Sequence, residues 1–223
     1  MAARLTRDAV ASVRRIAMLR RGLARGFEAE IARALREGKA DVLSRPRPSS
    51  VRDGLLRRVL LELWTHGLTG SFVDAVRVAG GPRLPFDPTT REGQAIYREV
   101  GERITDINES TRQAVARYVA RNRLNDGSAQ DLAALIRQDA SGAFTLARAR
   151  MIARTESGMS TNRGSVLGYR RSGRVERVRV FDGDGDNECA AANGSTWTLG
   201  EAEKNPLGHP NCVRAFSPLV ELD

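Results

Sequence analysis

Three residues near the C-terminal end of the chain have side chains that could hold a metal ion. Cys189 precedes a His-Pro-Asn-Cys segment in which His209 and Cys212 are spaced so that an imidazole and a thiolate could reach one ion. A structural zinc normally has four protein ligands, and Asp186 or Glu188 could supply the fourth. The same cysteines could instead be small packed side chains or a disulfide that closes a loop. We therefore predict no bound metal, and zinc on Cys189, His209 and Cys212 is the other interpretation.

A run of alternating aspartates lies just before Cys189. Asp182, Asp184 and Asp186 place oxygen atoms as a calcium-binding loop does. The match to an EF-hand fails, because the sixth position is Asn187 rather than glycine and the twelfth is Asn193 rather than glutamate. We therefore predict an exposed, solvated turn here, with weak calcium binding as the other interpretation.

Nucleophilic catalysis has few candidate residues in this chain. The sequence contains two histidines, His66 and His209, so a serine or cysteine nucleophile has little choice of base. There is no phosphate-binding glycine loop, no dinucleotide fingerprint and no His-Glu pair at helical spacing. We predict no catalytic residues and no enzymatic activity.

The first segment of the chain is rich in arginine. The protein has 36 basic and 27 acidic residues, a net charge of +9, and all but two of the basic residues are arginines. A row of arginines on a helix could lie along phosphates, and the other interpretation is a solvated face that pairs with acids of a neighbouring subunit. An aromatic content of 5% argues against stacking on single-stranded bases. The predicted nucleic-acid contacts are Arg14, Arg15, Arg20, Arg21 and Arg25.

Charge is distributed unevenly along the chain. Residues 182–223 carry a net charge of −6, whereas residues 1–181 carry +15. A basic body with an acidic end suggests a body that faces an anionic partner and a tail that faces another protein.

No stretch approaches the roughly 18 apolar residues of a membrane span. Residues 1–19 lack the apolar segment of a signal peptide, so we expect the chain to be made and used in a cytoplasm, at least initially.

Apolar residues recur every three or four positions through most of the chain, which predicts long amphipathic helices. The predicted helices cover 5–41, 51–79, a third from a cap at Asp87 or Thr89 to 124, a short one from Ser128 to near Ser141, and 145–171. Ser128 with Asp131 resembles a capping box, and Gly173 is placed as a left-handed C-terminal cap.

The spacing of apolar residues changes after Gly173. Val175, Val178 and Val180 indicate a short strand, Thr198 with Glu201 could cap one helical turn, and 212–216 is a candidate returning strand before Pro218. The predicted fold is α+β and predominantly α-helical. Residues 1–142 form a helical arm and body, and residues 143–223 form a small C-terminal α+β module with a short β-sheet.

Several elements of the C-terminal part occur in a characteristic order. They are Ala153-Arg154-Thr155-Glu156, Asn162, Gly164, the valine-rich strand, the aspartates before Cys189, Trp197, and His209-Pro210-Asn211-Cys212 ending near Pro218. Together they resemble the phage Mu F-like family of minor head and head-morphogenesis proteins, over the last third of the chain. Relatives often have Cys-x-x-Cys in the first cluster and Cys-Arg-Cys in the second. This chain has Ala192 at the second cysteine position and Val213-Arg214 after Cys212.

The resemblance implies a low-copy structural protein of a tailed phage, assembled in the host cytoplasm and retained in the virion head. The implied partners are the portal protein, a capsid or scaffolding protein, and packaged DNA, with no membrane. Glu156 is expected to pair with an arginine, and Thr155 to bond a strand backbone. The residues expected to hold the shape of the module are Arg154, Thr155, Glu156, Trp197, Cys189, His209 and Cys212. The alternatives are a protein whose main work is DNA binding, a zinc hydrolase or a capsid-maturation protease.

Overall fold

A computed structural model describes residues 7–48, 54–139, 141–183 and 186–220. The helices are α1 (Arg7–Ser44), α2 (Gly54–Val78), α3 (Arg91–Leu124), α4 (Ala129–Gln138), α5 (Leu146–Ser172), α6 (Asn187–Ala192) and α7 (Leu199–Lys204). The strands are β1 (Val175–Phe181), β2 (Thr196–Thr198) and β3 (Ala215–Val220). The protein is therefore α+β and predominantly helical, as the sequence predicted.

Helix α2 lies at the centre of the main core. Its apolar residues face several directions, and Leu60, Leu63 and Trp64 are almost completely buried. They pack against residues of α1, α3 and α5 in one apolar cluster. Each fully buried leucine-sized side chain contributes about 2 kcal/mol to the free energy of unfolding. The cluster includes Ala149 and Ile152 of α5, so the core is continuous across the predicted boundary between residues 142 and 143.

Helices α2 and α5 approach closely because their facing residues are small. A Cβ atom added to Gly164 would lie 2.6 Å from the carbonyl oxygen of Leu68 and closer still to the Ser71 hydroxyl. A Cβ atom on Gly168 would lie 2.7 Å from the carbonyl oxygen of Phe72. Most of α5 between these glycines and Ala153 is buried, including several hydroxyl residues. This burial on many sides explains why α5 has no clear apolar stripe in the sequence.

The C-terminal strands pack beside α5. The described residues form an antiparallel sheet in the order β2-β1-β3, in which Val178 of β1 pairs with Trp197 and Pro218. Val178 and Val180 are completely buried and lie in one cluster with Tyr169 of α5. The valine-rich strand thus covers the C-terminal half of α5 and positions the loops that follow it.

A third apolar cluster joins α3, α4 and the end of α1. Its members include Val115, Tyr118 and Ile136. Asp139 ends α4 in the left-handed conformation, and its carboxylate accepts hydrogen bonds from the backbone N–H groups of Ala143 and Phe144. This turn sets the direction in which the chain enters α5.

The element boundaries confirm most of the sequence predictions and correct some of them. Ser128 with Asp131 and Thr198 with Glu201 form complete capping boxes, and Gly173 ends α5 with a φ of 69°. The predicted starts of the first two helices, near Leu5 and at Ser49 to Val51, lie outside the described residues.

The third helix is capped by neither predicted residue. Its N-cap is Thr90, whose hydroxyl accepts from the N–H of Gly93, whereas the Asp87 carboxylate accepts from Thr89.

The returning strand begins at Ala215 rather than 212 and contains Pro218, which is tolerated because β3 lies at an edge of the sheet. The sequence analysis did not predict α6 and β2.

The close contact between α2 and α5 makes Gly164 sensitive to substitution. We expect Gly164→Ala to lower the free energy of unfolding by about 2–3 kcal/mol, because backbone of α2 must move to admit the methyl group. Gly101→Ala in α3 is the matched control, since nothing lies within 4 Å of its added Cβ. That control should raise the free energy of unfolding by about 0.5–1 kcal/mol. Urea denaturation measures both, and equal stabilities of the two variants would contradict the packing described.

Candidate metal centre

Helix α6 brings Asp186 and Cys189 to the same place. Asp186 is the N-cap residue, and its Oδ1 accepts a 2.7 Å hydrogen bond from the backbone N–H of Cys189. An aspartate at this position satisfies an N–H group that otherwise has no partner in the first turn. The Cys189 side chain is completely buried, whereas that of Asp186 is 42% exposed. The Cys189 thiol therefore lies in the interior, and the Asp186 carboxylate beside it is accessible to solvent.

A tight turn brings His209 and Cys212 together. The N–H of Cys212 donates to the carbonyl oxygen of His209 at 3.2 Å, and Asn211 takes a φ of 66°. Asparagine tolerates this left-handed conformation better than most residues. The Asn211 N–H donates to the Thr155 hydroxyl at 3.0 Å, which ties the turn to α5. Thr155 thus bonds the backbone of this loop rather than a strand.

The segment after the turn is held by α1 and α5. Arg20 of α1 donates to the carbonyl oxygens of Cys212 and Arg214. The Asn162 side-chain amide donates to the carbonyl oxygens of Pro206 at 2.6 Å and of Arg214 at 2.8 Å. Side chains of α1 and α5 therefore hold the backbone on both sides of Cys212 in place.

The Cys189, His209 and Cys212 side chains meet, and their sulfur and nitrogen atoms lie within 4.8 Å of one another. The Sγ atoms of Cys189 and Cys212 are 3.7 Å apart, and Cys189 Sγ is 3.2 Å from His209 Nε2. His209 Nε2 is also 2.7 Å from Asp186 Oδ2. A disulfide has a sulfur separation of about 2.05 Å, so the two cysteines are reduced in this structure and the disulfide interpretation does not describe it.

The two thiols have different surroundings. Cys212 Sγ accepts from the backbone N–H groups of Arg214 at 3.4 Å and Gly208 at 3.5 Å, and its thiol donates to Asp182 Oδ1 at 3.5 Å. Burial, followed by hydrogen bonding to Asp182 and Asp186, raises the pKa of the Cys189 thiol far above its ordinary value. Without a cation, Cys189 therefore stays protonated at neutral pH and is a poor nucleophile.

The prediction of an exposed, solvated turn is wrong at Asp182. Its side chain is completely buried and accepts from Arg214 Nε at 2.7 Å, and Arg214 itself is 3% exposed. The Arg214 guanidinium also lies over the ring of Trp197 at 5.0 Å. Asp186 instead caps α6 and contacts His209. The carboxylates of Asp182 and Asp186 therefore do not form one set of oxygen ligands for calcium. Asp184 lies outside the described residues.

Arg214 is the residue of this site that the sequence analysis missed. It is, with Lys204, one of the two basic residues in the acidic segment 182–223. A lone arginine in an acidic segment is a usable signal, because a guanidinium is a common partner for a buried carboxylate.

Glu156 connects the helices behind the site. Its carboxylate is buried and accepts from Trp64 Nε1 at 2.9 Å and from Arg103 Nε at 2.9 Å, with a second bond from Arg103 Nη2 at 2.5 Å. Glu156 therefore pairs with an arginine, as expected, and that arginine lies on α3. Arg154 is exposed on α5 and has no ion pair with any residue of the described ranges.

The five arginines proposed to contact nucleic acid divide into two groups. Arg15 pairs with Asp74 of α2 at 2.8 Å, and Arg20 bonds the backbone near Cys212. Burial raises the pKa of Asp74, but hydrogen bonds from Arg15, Ser12 and Arg77 outweigh it and hold that pKa below its ordinary value. The exposed arginines are Arg14, Arg21 and Arg25.

Comparisons with known proteins give no family for this chain. No protein-family model, no curated protein and no solved structure matches it. The described helices include none that is long and apolar enough to cross a membrane.

The other histidine of the chain, His66, lies exposed on α2 beside Glu62 and is not part of the cysteine cluster.

Removal of the buried carboxylate of Glu156 should destabilise the protein strongly. We expect Glu156→Ala to lower the free energy of unfolding by about 3 kcal/mol, because it leaves the Arg103 charge and the Trp64 N–H group without their acceptor. Glu109→Ala removes the 3.8 Å exposed partner of Arg112 and should cost less than about 0.5 kcal/mol. Denaturant titration followed by tryptophan fluorescence measures both, and a small loss for Glu156→Ala would contradict the assigned role.

Proposed function

We propose that this protein is a structural component of a phage head with a Mu F-like C-terminal module, acting in procapsid assembly together with the portal protein. The observation that carries the proposal is that the sequence elements of the resemblance meet at one interface. Thr155 binds the N–H of Asn211, and Asn162 binds the carbonyl oxygen of Arg214. Residues on the Arg-Thr-Glu helix and in the His-Pro-Asn-Cys turn therefore depend on each other, although they are more than 50 positions apart.

The surroundings of the cysteines favour a structural role over an enzymatic one. Both thiols are completely buried, and the pKa of Cys189 is raised by burial. Among the described residues, His209 Nε2 contacts Cys189 Sγ and Asp186 Oδ2. A hydrolase needs an activated nucleophile or an open metal position that substrate can reach. The arrangement supports a scaffold that holds the end of the module in shape.

The outer face of α1 supports contact with packaged DNA. Arg14, Arg21 and Arg25 are exposed and lie seven and four positions apart, so they share one side of the helix. Arg15 and Arg20 instead hold α1 against α2 and the C-terminal loop. We therefore restrict the proposed DNA contacts to the three exposed arginines, and we place the protein in the virion head next to the portal and a capsid or scaffolding protein.

The role as a head protein is tested by quantitative mass spectrometry of purified procapsids and mature particles from the phage that encodes this chain. We expect a few copies per head, in constant proportion to the portal protein. A protein that is made during infection but missing from both particles would contradict the proposal. In that case DNA binding by the isolated protein would be the next function to examine.

The DNA contact is tested with Arg14→Gln, Arg21→Gln and Arg25→Gln in one variant. If each arginine neutralises one phosphate, the slope of log affinity against log salt should fall by about 3, because fewer counterions are released. The matched control removes the same charge at Arg117, Arg121 and Arg123, which are exposed on α3. Fluorescence anisotropy with duplex DNA at several salt concentrations measures both, and equal losses in the two variants would reduce the effect to net charge.

A further inference from the structure

We propose that Cys189, His209 and Cys212 bind one Zn²⁺ ion and that Asp186 completes its coordination as the fourth ligand. Two thiolates, an imidazole and a carboxylate are a ligand set that zinc accepts in tetrahedral geometry. This inference is independent of the proposed function, since it concerns how the C-terminal module is held together.

Two distances within the three-residue cluster are close to those around a tetrahedral ion. With zinc–sulfur bonds of about 2.3 Å, two coordinating sulfurs lie about 3.8 Å apart, and the Sγ atoms of Cys189 and Cys212 are 3.7 Å apart. A coordinating sulfur and nitrogen lie about 3.5 Å apart in such a site. Cys189 Sγ and His209 Nε2 are 3.2 Å apart, so a movement of a few tenths of an ångström is enough.

The imidazole of His209 is oriented as a metal ligand. Its Nδ1 lies 2.7 Å from the carbonyl oxygen of Pro210. A carbonyl oxygen only accepts, so Nδ1 carries the proton, and in the neutral ring Nε2 presents its lone pair to Cys189 and Asp186. This backbone contact is the usual way in which a protein fixes the tautomer of a zinc-binding histidine.

Asp186 lies beside the ring nitrogen of His209 that faces the cysteines. Its Oδ2 is 2.7 Å from His209 Nε2, a contact that a proton on Nε2 satisfies when no metal ion is bound. When Zn²⁺ binds, it takes the place of that proton and accepts both atoms as ligands. The carboxylate is 42% exposed, so it can adjust its position and the ion can enter from solvent.

The neighbouring carboxylate of Asp182 is already neutralised. It is paired with Arg214 at 2.7 Å and its Oδ1 accepts from the Cys212 thiol at 3.5 Å, so it supports the site from outside the coordination sphere. The backbone N–H groups of Gly208 and Arg214 donate to Cys212 Sγ, and donors of this kind stabilise a metal-bound thiolate. The charges around the cluster thus leave the two thiols and Asp186 for the ion.

Zinc would join two buried cysteines that lie beside the apolar clusters and not within them. Cys189 and Cys212 are buried, but neither belongs to the apolar clusters of the described residues. The ion would connect the start of α6 to the turn at 209–212, which is fixed to α5 through Thr155. In a small module such a crosslink adds to the stability that the apolar cluster provides.

The first experiment is made on the wild-type protein, reduced, dialysed and reloaded with Zn²⁺ or Co²⁺. We expect one equivalent of zinc by elemental analysis. With Co²⁺ we expect a thiolate-to-cobalt charge-transfer band in the near ultraviolet and the intense visible bands of tetrahedral cobalt. A reduced, folded protein that retains no zinc and gives no such spectrum would overturn the proposal, and this result does not depend on the folding of any variant.

Variants identify the ligands. His209→Ala and Cys212→Ser should lose the stoichiometric zinc, whereas His66→Ala, which removes the other histidine, should retain it. Asp186→Asn should weaken zinc binding tenfold or more in competition with a chromophoric chelator. Unchanged affinity in Asp186→Asn would overturn its assignment as the fourth ligand, and full zinc content in Cys212→Ser would overturn the site.

Chelation adds a readout for the structural role. A chelator should lower the Tm of the wild-type protein and of His66→Ala, while the Tm of His209→Ala should not respond. An equal response of His209→Ala would overturn the assignment of this site as the zinc-binding one. These outcomes are separate from the particle analysis, because a zinc site can exist whether or not the protein is part of a head.

Discussion

Helices α2 and α5 pack backbone against backbone, and the positions of the other elements follow from this contact. Gly164 and Gly168 bring the backbone of α5 against Leu68 and Phe72 of α2, where any larger side chain would collide. Once α5 is seated at this depth, Glu156 reaches Trp64, and the opposite end of the helix supports the sheet. The main core and the C-terminal module therefore share one helix, and neither is arranged independently of the other.

Polar side chains of the buried helix α5 also hold the loop that carries His209 and Cys212. Thr155 and Asn162 are spaced seven positions apart on one face, and both bind backbone of the loop that carries His209 and Cys212. Arg20 of α1 bonds the same loop from another side. A loop fixed by side chains in this way holds its cysteine and histidine in a constant position, as a preorganised ligand set requires.

Helix α1 has two sets of arginines with different physical roles. Arg15 and Arg20 face inward, where Asp74 and backbone carbonyl oxygens neutralise their charge or accept their hydrogen bonds. Arg14, Arg21 and Arg25 face solvent and keep their charge available to an anionic partner. The proposed contact with DNA and the attachment of α1 to the body thus use different residues of one helix.

Features that depend on neighbours along the chain were predictable from the amino-acid sequence. Helical periodicity, the Ser128 and Thr198 capping boxes, the Gly173 terminus and the valine-rich strand follow from local backbone preferences, and together they gave the predominantly helical α+β class. The same local rules failed at Thr90, because Asp87 and Thr89 are equally good caps in isolation.

Which charged residues are buried, and what they contact, depends on contacts between distant parts of the chain. Asp182 looks like an exposed turn residue until Arg214 is brought beside it by the pairing of β1 and β3. Likewise, the sequence named Cys189, His209, Cys212 and Asp186 as possible ligands, but no spacing along the chain could fix their distances. Those distances depend on α5 and α1 holding a loop that is more than 50 residues away in sequence, and long-range packing of this kind leaves no local pattern.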